Sequence, residues 1–237
     1  MKRILVVDDE PSIREMLKDL LESAGFECIE SRDMHEADRL IKELNPHLVL
    51  LDWMLPGGSG IELLQILMKR EKAKSLPIIM LSANTREDDI ILALNIGASD
   101  YVTKPFSPQE LLARIRSLLR FAKPGDDKFK YRVGELVLET DSHRVAIGSE
   151  DLEMTPTEFK LLRFFIAQPE RALSRSEIRK AVWGNKGDMQ DRIVDVQIRR
   201  LRSLLQASNP EYSRLIQTVR GTGYRFSPRD LSVPTKK

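Results

Sequence analysis

The chain has 237 residues, enough for one large domain or two smaller ones with a core each. Lys and Arg number 38 against 36 Asp and Glu, and the resulting +2 is divided unevenly: residues 1–122 sum to −4 and residues 123–237 to +6. The single cysteine, Cys28, excludes an internal disulfide framework and a Cys-rich zinc site, and no stretch approaches the roughly 18 apolar residues of a membrane helix.

The first predicted element is the run Ile4-Leu5-Val6-Val7, which passes straight into Asp8-Asp9-Glu10. It is too short for a signal peptide, so a soluble, cytoplasmic protein is expected. Leu48-Val49-Leu50-Leu51 and Ile78-Ile79-Met80-Leu81 are likewise continuously apolar, the signature of parallel strands covered on both faces. Helix-period segments lie between them. Ile13, Leu17, Leu20 and Ala24 stop at Gly25; Ala37, Leu40, Ile41 and Leu44 close at Asn45-Pro46; Ser107-Pro108-Gln109-Glu110 opens the last helix with a capping sequence. The pattern predicts a (βα)5, doubly wound α/β domain over residues 1–121.

Ligands of such sheets bind beyond the carboxyl ends of the strands. Those ends here carry Asp8 and Asp9, Asp52, Ser82, and, after Tyr101-Val102, Thr103-Lys104-Pro105. Three converging carboxylates repel one another unless a cation sits between them, and an all-oxygen set favours Mg2+, Mn2+ or Ca2+ over zinc. A lysine beside them points to phosphoryl chemistry, with Lys104 and Ser82 serving phosphoryl oxygens and Asp52 placed to be the nucleophile. Pro56-Gly57-Gly58-Ser59-Gly60 lacks the Lys-Ser/Thr ending of a phosphate loop and reads as a turn before the third helix. His35 and His47 share no ligand spacing.

Val-Val-Asp8-Asp9-Glu10, Leu-Leu-Asp52-Trp53-Met54-Leu55-Pro56-Gly57, Leu81-Ser82-Ala83 and Tyr101-Val102-Thr103-Lys104-Pro105-Phe106 resemble the receiver domain of two-component response regulators. The resemblance implies a flavodoxin-like fold and Asp52 as phosphoacceptor. It implies Mg2+ held by Asp9, Asp8, Asp52 and the backbone carbonyl of Met54. Lys104 would pair with the phosphoryl group, and Ser82 with Tyr101 would form the switch. A sensor histidine kinase would be the donor. The family's homodimers use charged pairs that Asp100 and Arg114 match, whereas Glu110 would face Ile90, where a basic residue is usual.

Residues 122–130, with Pro124-Gly125 and flanking charges, are expected to be a linker. Short β-type runs at Leu136-Val137-Leu138 and Val145-Ala146-Ile147 predict a small antiparallel sheet. Capping boxes at Thr155-Pro156-Thr157-Glu158 and Ser174-Arg175-Ser176-Glu177 open two helices, the second ending near Trp183-Gly184. A third helix runs from about Asp191 to Leu205, and a hairpin turns at Arg220-Gly221-Thr222-Gly223. A helix-turn-helix with a wing results, over residues 131–227, followed by a loose tail over 228–237. Along the third helix Val194, Ile198, Leu201 and Leu205 form one stripe, with Arg192 and Arg199 almost opposite and Arg200 and Arg202 flanking. Residues 192–202 hold four arginines and one acid, Asp195, an electrostatic footprint for double-stranded DNA. Gln197 and the arginines suit base edges, Arg220 the minor groove, and Thr218 and Tyr224 the backbone.

Arg220-Gly-Thr-Gly-Tyr-Arg-Phe226 and Val194-Asp-Val-Gln-Ile-Arg-Arg-Leu-Arg202 resemble the α+β winged-helix effector of the OmpR/PhoB subfamily. That likeness implies a phosphorylation-activated transcriptional regulator, not an enzyme, that dimerises on promoter DNA and controls phosphate-starvation genes. It also implies an RNA polymerase contact at Trp183 and the loop to Gln190; a plain core role for Trp183 stands beside it. Two other readings remain open: a Mg2+-dependent phosphohydrolase, against which stands the want of a second carboxylate for acid–base turnover, and a constitutive DNA-binding protein with the receiver as a dimerisation module.

Overall fold

A computed structural model describes residues 1–70, 73, 75–121, 129–184 and 191–231. The chain forms two compact units, Met1–Ala122 and Lys123–Lys237. Among the described residues no helix is long and apolar enough to cross a membrane.

The first unit alternates strands and helices: β1 (Arg3–Val7), α1 (Pro11–Ser23), β2 (Glu27–Ser31), α2 (Met34–Leu44), β3 (Leu48–Asp52), α3 (Gly60–Met68), β4 (Ile78–Ser82), α4 (Glu87–Ile96), β5 (Asp100–Thr103) and α5 (Pro108–Phe121). The sheet is wholly parallel, in the order β2-β1-β3-β4-β5. Its three inner strands are the three continuous apolar runs, buried along nearly their whole length because helices cover both faces. On one face Leu17 and Leu21 of α1 and Leu111, Ile115 and Leu118 of α5 pack over Ile4, Val6, Leu48, Leu50 and Ile79. Asn45 ends α2 in the left-handed conformation expected of a helix stop, φ 46°. The Pro56–Gly60 stretch is a turn within a two-stranded ribbon, Met54–Leu55 against Gly58–Ser59, and Ser59 then caps α3 in a capping box with Glu62.

The second unit opens with a four-stranded antiparallel sheet of β6 (Lys130–Val133), β7 (Leu136–Glu139), β8 (Arg144–Ile147) and β9 (Glu150–Asp151). Then come α6 (Pro156–Ile166), β10 (Ala172–Ser174), α7 (Arg175–Trp183), α8 (Arg192–Ser208), β11 (Ile216–Val219) and β12 (Gly223–Phe226). Both predicted capping boxes form, Thr155 with Glu158 and Ser174 with Glu177. Strands β11 and β12 make the wing, and β10 pairs with β12 on its other edge. A Cβ on Gly223 would meet the Leu173 carbonyl at 2.2 Å, so only glycine lets these two strands approach. The stripe Val194, Ile198, Leu201 and Leu205 is fully buried in the core with Phe165 and Phe226.

Two expectations need correction at their edges. The linker was expected to run to Lys130, but that residue begins β6; residues 122–128 lie outside the described residues. The tail is packed at its start, not loose: Leu231 is 9% exposed within the core, while residues 232–237 lie outside the described residues. The apolar Leu231 side chain buries against Gly134 and the effector core, which the polar composition of 228–237 conceals.

Candidate functional site

At the carboxyl ends of β1, β3 and β5, the loops bring Asp8, Asp52 and Lys104 into contact. The Lys104 ammonium lies 2.7 Å from Asp8 Oδ2 and 2.8 Å from Asp52 Oδ1. Both carboxylates are buried, Asp8 completely. The exposed Asp9 completes the group, since one carboxylate oxygen from each of Asp8, Asp9 and Asp52 falls within 4.8 Å of the others. Backbone amides hold the two buried ones: Glu10 N–H donates to Asp8 Oδ1 at 3.0 Å and Met54 N–H to Asp52 Oδ2 at 3.1 Å. A cavity of about 590 Å3 opens over them, lined among others by Asp9, Asp52, Ser82, Asn84 and Lys104.

The electrostatics follow from burial. Asp52 is pushed above the ordinary carboxylate range, first by desolvation, with the Lys104 hydrogen bond and charge pulling the other way and Asp8 adding to the rise. Burial also works against the charge on Lys104, but hydrogen bonds to and attraction from Asp52 and Asp8 outweigh it and hold the ammonium protonated. One cation thus spans two acids. Hard oxygen donors clustered at this spacing fit Mg2+, which prefers carboxylates and retained water.

Ser82 ends β4, is 2% exposed, and its Oγ accepts from Asn84 N–H at 3.0 Å. Tyr101 of β5 is also buried; its ring stands edge-on to Trp53 and its hydroxyl donates to the Asn84 carbonyl at 2.9 Å. Asn84 therefore touches both expected switch residues, although the sequence motif ends at Ala83. Its signal is an Asx turn: Asn84 Oδ1 accepts from Arg86 N–H at 3.0 Å ahead of α4. A second residue that no motif singles out is Arg14, whose Nη1 donates to the carbonyls of Asp8 at 2.7 Å and Asp9 at 3.0 Å and so fixes the acidic loop from α1.

The residues expected at a dimer face satisfy one another within the chain. Arg114, 7% exposed, donates to Asp100 Oδ2 at 2.9 Å and to Glu110 Oε1 at 2.7 Å, so Glu110 has a partner one helical turn along α5. Ile90 lies half-buried on α4.

In the second unit the expected DNA-contacting residues divide. Arg192, Arg199, Thr218 and Arg220 are exposed. Arg200 pairs with Glu158 of α6 at 3.1 Å. Arg202 turns to the wing: Nε and Nη2 donate to the Ile216 carbonyl at 2.9 and 2.6 Å, and Nη2 to Thr218 Oγ1 at 3.0 Å. Tyr224 is 6% exposed, with its hydroxyl donating to Asp195 Oδ1 at 2.7 Å. Gln197 departs most from the expectation of a base-edge contact. It is 1% exposed, and neither amide atom has a partner, because the buried side of α8 is wider than the four-residue stripe and takes in Ile193, Val196 and Gln197. Trp183 is half-buried against the core, its indole N–H buried without a partner; residues 185–190 of the adjoining loop lie outside the described residues.

Comparison with known proteins agrees with this geometry. Residues 4–116 match the response regulator receiver domain family, and residues 149–226 the family of C-terminal domains of transcriptional regulatory proteins. The chain is 50% identical to the phosphate regulon transcriptional regulatory protein PhoB of Pseudomonas aeruginosa, over 96% of this chain and 98% of that one, and 48% identical to the Escherichia coli protein of the same name, over 96% and 99%. Among solved structures, a mutant of RitR superposes with a TM-score of 0.70 at 26% identity, covering 95% of this chain and 99% of that one. DrrB, an OmpR/PhoB homolog from Thermotoga maritima, gives 0.50 at 29% identity over 96% and 99%. A parallel sheet presenting an acidic cluster and lysine, joined in sequence to a winged helix and matched along nearly the full length of such relatives, identifies the chain as a member of the OmpR/PhoB-type response regulators.

Proposed function

We propose that Asp52 accepts a phosphoryl group from the phosphohistidine of a sensor kinase and that the modified receiver favours a homodimer that binds promoter DNA. The observation that carries the reading is the Lys104 ammonium within 2.8 Å of both Asp8 and Asp52 at the mouth of an open cavity. In the transfer, an Asp52 carboxylate oxygen bonds to phosphorus as the bond from phosphorus to the donor nitrogen breaks. Lys104 exchanges its Asp52 contact for a phosphoryl oxygen and keeps Asp8. Asp8, Asp9, Asp52 and the Met54 carbonyl would hold Mg2+, which supplies charge neutralisation for the phosphoryl oxygens. The Ser82 hydroxyl then donates to the phosphoryl group, and Tyr101 leaves the Asn84 carbonyl to fill the space vacated.

DNA is bound through α8 and the wing, with the exposed Arg192, Arg199 and Arg220 meeting the duplex and Arg202, Thr218 and Tyr224 setting the wing against the helix. Dimerisation uses the face that carries Asp100, Glu110 and Arg114. RNA polymerase is met at Trp183 and the loop after it. The names of the relatives support phosphate-starvation genes as the targets, and the receiver chemistry supports a cytoplasmic site of action.

Asp52→Asn should abolish Mg2+-dependent labelling by acetyl phosphate. Labelling that persists would refute the site, and promoter footprints identical with and without phosphodonor would refute the switch.

A further inference from the structure

Asp195 is the one acid among the residues 192–202 of α8. At about 100° per residue it falls within roughly 60° of Arg192, Arg199 and Arg202, on the polar side of the helix. A carboxylate there repels phosphate; it lies in the first turn of α8, where negative charge suits the helix N-terminus, yet its oxygen is engaged by side chains of two other segments. Its Oδ1 accepts from Arg175 Nε at 2.7 Å and from the Tyr224 hydroxyl at 2.7 Å. The Arg175 guanidinium in turn lies 5.2 Å from the centroid of the Tyr224 ring, and that of Arg202 lies 5.5 Å from it. Three segments meet at this carboxylate: the first residue of α7, the first turn of α8 and the second wing strand.

Arg175 is the unusual member. It opens α7, where the helix already presents positive charge. Its side chain is 36% exposed, and Asp195 is 38% exposed. Neither is sealed in the core, so the pair adds little to stability. Without Asp195 a mobile cation would stand at the rim of the α8 face, able to meet any phosphate whatever the base sequence.

We infer that Asp195 is a specificity-determining residue for DNA: it holds Arg175 on the Tyr224 ring and away from phosphates, which lowers sequence-independent binding while leaving the reading residues of α8 in place. The inference rests on the proposed DNA-binding role of this unit. Discrimination here comes from weakening the wrong complex rather than strengthening the right one.

The test uses the full chain and two probes: an unselected random-sequence duplex pool, and a duplex that the wild-type chain recovers from that pool. Asp195→Asn preserves shape and frees Arg175. One further phosphate contact should steepen the salt dependence on the unselected pool by about 0.9 in log–log slope, an extra loss of about 3.5-fold over a fourfold rise in salt. Affinity for the pool should rise and the ratio of selected to unselected binding should fall severalfold. Adding Arg175→Gln to Asp195→Asn leaves net charge as in the wild type and should return the slope to its original value.

An unchanged slope in Asp195→Asn overturns the inference. So does a raised slope that persists in the double variant, since loss of the acid's own repulsion then suffices. If the wild-type chain binds neither duplex in a salt-dependent way, the DNA-binding reading itself fails.

Discussion

Replacing Lys104 by methionine removes the cation that, among the described residues, pairs with both buried carboxylates, while keeping a long apolar stem. The ammonium stands 2.7 Å from Asp8 and 2.8 Å from Asp52, and the lysine side chain is only 15% exposed. At an effective dielectric of about 20 each of these ion pairs is worth roughly 6 kcal/mol in gross attraction. Much of that is returned because the ammonium no longer has to be desolvated. What stays behind is the larger cost: two carboxylates side by side, one wholly buried and one nearly so, with no counter-charge. Breaking a buried pair in this way typically costs about 3–5 kcal/mol, a large share of a domain's usual margin of about 5–15 kcal/mol. The assay is urea unfolding in a Trp183→Phe background, where Trp53 beside the site is the only indole. With a urea slope of about 2 kcal/mol per molar, the midpoint in EDTA should fall by roughly 2 M. Mg2+ should recover most of that loss, because a divalent cation supplies the missing charge, and it should stabilise the variant more than the parent. A loss in EDTA below about 1 kcal/mol, or the same loss with and without Mg2+, refutes the assignment of Lys104 as the counter-ion of the acidic cluster.

Gly60→Ala should cost about 1–3 kcal/mol and slow phosphorylation, because the new Cβ would meet the Asp52 carbonyl at 2.0 Å and push α3 away from the end of β3; wild-type labelling rates would contradict this. Asp100→Ala strips Arg114 of its buried partner but leaves Glu110, so the loss should sit near ~3 kcal/mol by thermal or urea unfolding, and less than about 1 kcal/mol would show that the buried pair is dispensable. Burial, with Glu30 and Glu22 adding to it, pushes the Cys28 thiol from 9.0 up to about 12. The thiolate is thus disfavoured in the folded state, and whatever stability this group contributes is intact below pH 9 and lost as pH rises from 9 toward about 12. At pH 8 alkylation by iodoacetamide should run roughly a thousandfold slower in the folded chain than in urea; rates within tenfold would refute the shift.

Much of the first unit was legible because its inner strands are buried on both faces and so read as unbroken apolar runs, each ending in chemistry. Edge strand β2 left no such run. Glu27-Cys28-Ile29-Glu30-Ser31 has one neighbour instead of two and is exposed or half-buried along most of its length, so its composition is mixed. The carboxyl-end residues Asp8, Asp9, Asp52, Ser82 and Lys104 lie together, since strand order alone brings them to one edge. Asn84 was not legible, because it acts through its backbone carbonyl, a group every residue carries. The two capping boxes of the second unit formed as expected, for their hydrogen bonds close within four residues and need nothing from the rest of the fold.

The DNA face shows where local reading stops. Four arginines stand on α8, and periodicity put them all away from the core, yet their fates differ by partners that lie far off in the chain. Arg192 and Arg199 stay exposed, Arg200 is taken by Glu158 of α6, and Arg202 by the Ile216 carbonyl of the wing. Gln197 goes inward although it is polar, because a 17-residue helix packed against α6, α7 and the turn at Pro210–Leu215 buries more than a narrow stripe. A charge count therefore overstates the cations available to phosphate. Arg200 and Arg202 orient the helix and the wing, and under the proposed DNA-binding role Arg192, Arg199 and Arg220 are exposed cations open to phosphate. This division also gives Asp195 its meaning, since a lone acid on that face matters only where the number of exposed cations is small.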